Sequence, residues 1–154
     1  VTILVNGKPV TYSTELGYAV INRVWKKGDV LTMQMPMPVR KLVAKADVQA
    51  NINRIALQRG PLVYCVESKD NAAGVWNLLL PEGTAFTTTT STVLTEKVIA
   101  LQAQVPVIVP ADNGSSVAAK TTTITAIPYY TWANRGSNAM QLWLPTKIST
   151  IRIN

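Results

Sequence analysis

Few side chains in this chain of 154 residues could do chemistry. It contains no histidine and a single cysteine, Cys65. That removes Ser-His-Asp and Cys-His catalysis, histidine metal sites and histidine pH switching. Cys65 lies in the apolar run "PLVYCVE", where a thiol reads as a small buried hydrophobe on a strand. The carboxylates are Glu15, Asp29, Asp47, Glu67, Asp70, Glu82, Glu96 and Asp112. Glycoside cleavage needs two of them across a cleft, roughly 5 to 10 Å apart. Glu67 with Asp70 is the pair to consider, but "ESKDN" is turn-rich and capping of the local backbone is the preferred reading. "DNAAG" is too short and too poor in oxygen ligands for a calcium loop of the EF type. "NRGSN" lacks the lysine and the helix of a phosphate loop. No catalytic residue, metal site or cofactor is therefore expected within this chain.

The aromatic residues are the better candidates for recognition. "ITAIPYYTWANRG", residues 124 to 136, carries Tyr129, Tyr130 and Trp132 ahead of a polar turn, and Trp143 follows soon after. Flat rings accept the apolar face of a sugar. On a strand, alternation puts Tyr130 and Trp132 on one face and Tyr129 on the other. Tyr130 and Trp132, with Trp25 next, are thus the sugar-binding candidates. The competing reading is a core strand ending in a turn, with Asn134 and Arg135 fixing that turn or touching a neighbouring domain.

These residues need elements to position them. Asn6-Gly7 between two β-prone runs predicts a hairpin with a type I′ turn. Residues 18 to 25 read as a strand, residues 27 to 29 as a turn and residues 30 to 35 as the returning strand. Pro36 and Pro38 interrupt pairing or place it at an edge. Val39 to Val43 reads as a strand, residues 46 to 53 as a loop or single helical turn, and Arg54 to Gln58 and "LVYCVE" as strands around Arg59-Gly60-Pro61. Beyond the turn-rich "KDNAAG", short strands are expected at "VWNLLLP", in the Thr-rich run after it, and at "TEKVIALQAQVPVIVP" as a pair or one long bent strand. "ADNGSSVAAK" is a hairpin tip; "TTTITAIPYYTWAN", "MQLWLP" and "STIRIN" are closing strands. No amphipathic helix is evident. The fold class is all-β, with one or two antiparallel sandwich-like units, divided as residues 1–67 and 68–154.

Hydrophobic residues make up 47% and charged residues 15%, enough apolar side chain for a packed core. No run of 18 apolar residues offers a membrane span. The first residues, "VTILVNGKPV", already read as structure and carry no signal-peptide pattern, so the chain reads as part of a larger protein. The net charge is +7, with Lys26, Lys27, Arg40, Lys41 and Lys45 close together in sequence. They fall beside turns and at alternate strand positions, where they solvate a sheet face, and no nucleic-acid motif accompanies them.

"RGPLVYCVESKDN" (59 to 71) followed by "ITAIPYYTWANRGSNAMQLWLP" (124 to 145) resembles the C-terminal part of glycoside hydrolase family 127, the β-L-arabinofuranosidase-like enzymes. "VNGKPV" and "GYAVINRVWKKGDVLTMQMPM" resemble the segment after the catalytic barrel of that family. The likeness covers nearly the whole chain, in the family's order. It implies an upstream (α/α)6 barrel that carries a zinc-bound cysteine nucleophile and glutamates, none of them here, with Cys65 not the counterpart of that cysteine. It also implies β-sandwich domains that pack on the barrel or mediate dimer contacts in a bacterial enzyme, and a first unit lacking its opening strands. The expected role is a non-catalytic support for the barrel. The alternative is a carbohydrate-binding module for an arabinose-containing glycan.

Overall fold

The computed structural model describes residues 1–111 and 116–151. The expected hairpin tip at 112–115, Asp112 with it, and the last residues of "STIRIN" lie outside them. The described residues are all-β and antiparallel, with only three-residue 3-10 turns between strands. They divide into two units, Val1–Met37 and Pro38–Asn154.

In the first unit, β1 (Thr2–Val5) pairs with β2 (Lys8–Pro9) through a two-residue turn. Asn6 and Gly7 sit at φ 52° and 76°, the two positive values that a type I′ turn requires. A second hairpin joins β3 (Ser13–Glu15) to β4 (Tyr18–Val20) around Leu16-Gly17, at φ 50° and 87°. Leucine rarely takes that conformation, so the sequence carries no signal for this turn. The strand expected over residues 18 to 25 accordingly ends at Val20. The following loop is held by the Asp29 carboxylate, which accepts from Lys26 N–H at 2.9 Å and from Asn6 Nδ2 at 2.7 Å. β5 (Leu31–Gln34) then returns along β1, with Leu31 opposite Val5 and Met33 opposite Ile3.

The second unit contains one sheet of eight strands among the described residues. β6 (Val39–Val43) pairs with β7 (Arg54–Arg59) across a loop containing a 3-10 turn at Gln49–Asn51. β7 turns through Gly60-Pro61 into β8 (Leu62–Glu67). Gly60 supplies the positive φ of 56° at the first turn position, and Pro61 the fixed negative one. The order continues from β8 to β11 (Val117–Pro128), then β10 (Glu96–Pro110), then the edge strand β9 (Thr87–Val93). β12 (Met140–Gln141) pairs with β8 and β13 (Leu144–Pro145) with β7.

The boundary expected between residues 67 and 68 therefore falls inside this sheet. β8 pairs with β11, so residues 39 to 67 share a core with residues 87 to 128 and the division lies after Met37. The expected strand at "VWNLLLP" is a connection that makes one bridge, Leu78 to Val107. Its Val75, Leu78 and Leu80 are buried against Leu101, Ala103, Val105 and Val107 of β10. β10 is one continuous strand despite Pro106. Leu79 N–H donates to Pro106 O (2.9 Å), so the backbone of Pro106 faces that irregular connection, where its missing N–H costs no bond to β11. A smaller cluster of Cys65, Val93, Val98, Ala100 and Ile127 occupies the other face of the sheet.

Candidate functional site

The aromatic segment is not the extended strand that alternation predicts. β11 stops at Pro128, and Tyr129–Thr131 form a 3-10 turn. Trp132 N–H closes that turn on Tyr129 O at 3.0 Å, and the buried Thr131 hydroxyl donates to Pro128 O at 2.6 Å. A turn of three residues aligns positions i and i+3. Tyr129, not Tyr130, is therefore the ring that meets Trp132: their centroids lie 5.8 Å apart with planes 16° from parallel. Tyr130 lies outside this stack, 64% exposed. Trp25, also exposed, belongs to the other unit and lies under the Arg23 guanidinium, 5.0 Å from its ring centroid.

An ion triad fixes the chain just after this turn. Arg135 donates from Nη1 to Asp70 Oδ1 at 2.8 Å, and from Nη2 to Asp70 Oδ2 and Glu67 Oε2. Ala133 N–H donates to the other Glu67 oxygen at 3.0 Å. The Glu67 carboxylate is fully buried, so guanidinium and amide together supply the solvation it has lost. The two carboxylates raise the Arg135 pKa further above its ordinary range, Asp70 most, so the cation is permanent. Lys69 Nζ donates to Arg135 O, which ties the loop again. Glu67 and Asp70 thus share one counterion, Arg135. These bonds hold the Arg135 side chain beside the turn. Asn134 is exposed beside it.

Asn71 continues the same network. Its amide accepts from Thr125 N–H at 2.8 Å and donates to Thr125 O at 2.9 Å and to Glu67 O at 2.7 Å. It acts as a piece of strand where β8 ends and the edge of β11 would otherwise be bare. Cys65 is buried on the opposite face, where burial first, and the nearby Glu67 and Asp70 charges next, push its thiol up to about 12. A thiol at that value is no nucleophile at neutral pH. Among the described residues no three His, Cys, Asp or Glu side chains are placed to hold a metal ion.

A cleft of about 320 Å³ lies elsewhere in the second unit, lined by Trp76, Trp143, Asn51, Arg54, Gln141 and Thr150 among others. Arg54 builds one wall: it donates from Nη1 to Trp143 O (3.1 Å) and from Nη2 to Thr150 O (2.8 Å), holding the C-terminal segment to β7. The buried Gln141, in the orientation that satisfies both ends of its amide, donates to Val75 O and accepts from Arg54 Nη1 at 3.1 Å. Trp143, which the sequence groups with the tyrosines, instead lines this cleft with Trp76, a residue that no sequence pattern singles out.

The family model of the glycoside hydrolase family 127 C-terminal domain matches residues 39–145. The chain belongs to glycoside hydrolase family 127. The model of the middle domain of the family's β-L-arabinofuranosidases matches residues 1–37, and the two matches meet where the structure divides. A non-reducing end β-L-arabinofuranosidase of Bifidobacterium longum is 32% identical over 92% of this chain and 23% of its own length. A solved β-arabinofuranosidase of the family superposes with a TM-score of 0.88 at 34% identity, over 99% of this chain and 24% of that one. The β-L-arabinofuranosidase of Geobacillus stearothermophilus T6 superposes with a TM-score of 0.79 at 33% identity, over 95% of this chain and 24% of its own. The chain therefore spans about a quarter of the length of these relatives.

Proposed function

We propose that this chain is the accessory β region of a bacterial glycoside hydrolase that acts on β-L-arabinofuranosides, and that it supports an upstream catalytic barrel without supplying reacting groups. The observation that carries this reading is the succession of middle-domain and C-terminal-domain matches across one quarter of a longer enzyme. The side chains agree with it. Glu67 and Asp70 are spent on Arg135, and Cys65 is buried and protonated. The zinc that the family resemblance implies finds no donor set among the described residues, since the chain has no histidine and no three of the described acidic and thiol groups are placed to hold a metal ion. Zinc chemistry is assigned to the upstream part alone.

The first unit adds a surface for such a role. Leu31 and Met33, on the face of β5 shared with Val5 and Ile3, are 49% and 53% exposed, and Met35 beyond them 62%. Thirty-odd residues with so much open apolar surface gain stability from a second layer. The rest of the middle domain is the occupant proposed; a second copy of the chain is the competing one.

The test is complementation. The chain alone should not hydrolyse an aryl β-L-arabinofuranoside, and the upstream region of the parent enzyme should bind it and gain activity or thermal stability. Turnover by the chain alone, lost in Glu67→Gln, would replace this reading with an independent enzyme. Failure of the upstream region to associate, with a stable homodimer in its place, would sink the supporting role.

A further inference from the structure

We propose that the cleft between Trp76 and Trp143 binds a neutral sugar ring. Its volume of about 320 Å³ lies at the small end of ligand sites, which span roughly 300–1,000 Å³. It uses none of Tyr130, Trp132 or Trp25.

The chemistry of the walls selects the ligand. Both indoles are partly exposed, and among the described residues neither ring N–H makes a hydrogen bond. The side-chain amide of Asn51 is half-buried and likewise makes none, which leaves a donor and an acceptor at the rim. The Thr150 hydroxyl donates to Lys147 O at 2.7 Å and keeps its lone pairs. Among the described residues Arg54 is the charged member of the lining, and three of its five N–H groups go to the carbonyls of Trp143 and Thr150 and to the Gln141 amide oxygen. Among the described residues the cleft so offers aromatic side chains and uncharged hydrogen-bonding groups, with no carboxylate in its lining for an amine and with the Arg54 guanidinium turned to carbonyl partners. A sugar ring matches both features, with C–H faces for an indole and hydroxyls for the amide and the N–H groups. The walls are also pre-organised, because Arg54 and Gln141 join β7, β12 and the segment from Trp143 to Thr150 in one hydrogen-bonded frame.

The choice of L-arabinose as the first probe rests on the proposed function; the site itself rests on the cleft. The experiment follows the four indole N–H resonances of the full chain by NMR, assigned through single Trp→Phe variants. The titrants are L-arabinose, arabino-oligosaccharides, D-glucose and D-galacturonate. The resonances of Trp76 and Trp143 should move saturably with neutral sugar while those of Trp25 and Trp132 stay. Asn51→Ala, at a half-buried position that need not disturb the fold, should weaken binding about ten-fold. Movement with D-glucose and not with arabinose would support the cleft and count against the proposed substrate. Silence of Trp76 and Trp143 with every sugar, movement confined to Trp132 or Trp25, tighter binding of galacturonate, or unchanged affinity in Asn51→Ala would each overturn the proposal.

Discussion

Arg135→Met should be among the most costly single substitutions in this chain. The side chain it removes is 17% exposed, and it faces a Glu67 carboxylate at 0% and an Asp70 carboxylate at 18%. Removing one partner of a buried ion pair costs about 3–5 kcal/mol, because the other charge is left without solvation. Two features place this case at the lower end. Ala133 N–H still donates to Glu67 at 3.0 Å, and Arg135 carries a cost of its own, since its buried Nε has no partner among the described residues. Asp70, nearer to water, adds about 0.5 kcal/mol. The expected loss is about 3 kcal/mol, read as a lower urea midpoint at unchanged slope. Glu67→Leu combined with Arg135→Met removes the stranded charge with its partner and should recover about 2 kcal/mol relative to the sum of the singles. A loss under about 0.5 kcal/mol in the single variant, or strict additivity in the double, would refute the argument that the triad organises this loop.

Asn71→Ala strips Thr125 of both backbone partners and should cost about 2–3 kcal/mol, with faster hydrogen exchange at the Thr125 amide as its local signature. Cys65 should resist alkylation in the native chain at pH 8 and react fully in denaturant. Its unfolded thiol ionises near 9.0 and its folded one near 12, so the unfolded state holds fewer protons between them and stability should fall as pH climbs through that interval. Asp29 is held below its ordinary 3.8 by the Lys26 N–H first and by Asn6 next. Its contribution is therefore present above 3.8 and lost as pH falls through the lower folded value; a carboxyl NMR titration that Asn6→Ala does not shift upward would count against that arrangement.

Much of the fold is legible because its causes are local. Asn6-Gly7 and Gly60-Pro61 specify backbone angles at single residues, and the hairpins around them form as those residues predict. The strand at Val39–Val43 and the turn before Arg54 follow from β-propensity bounded by turn residues. Local rules fail where a residue breaks its own preference, as Leu16 does at φ 50°, or where the chain changes helical period within a few residues, as it does after Pro128. The reading of Tyr130 and Trp132 as face partners assumed a strand period of two; the 3-10 turn made it three and substituted Tyr129.

By itself, then, the sequence determined the all-β class, the positions of its tight turns, and the absence of any histidine-based chemistry. Only the tertiary structure decided which charges are spent on each other, where the chain divides, and which tryptophans share a cleft. Arg135 meets Glu67 and Asp70 across 68 and 65 residues of sequence, and the cleft gathers Asn51, Trp76 and Trp143 from three distant segments. A turn is a property of two or three adjacent dihedral angles. A buried carboxylate takes its partner from whatever the folded sheet brings within about 3 Å, and no local pattern encodes that choice.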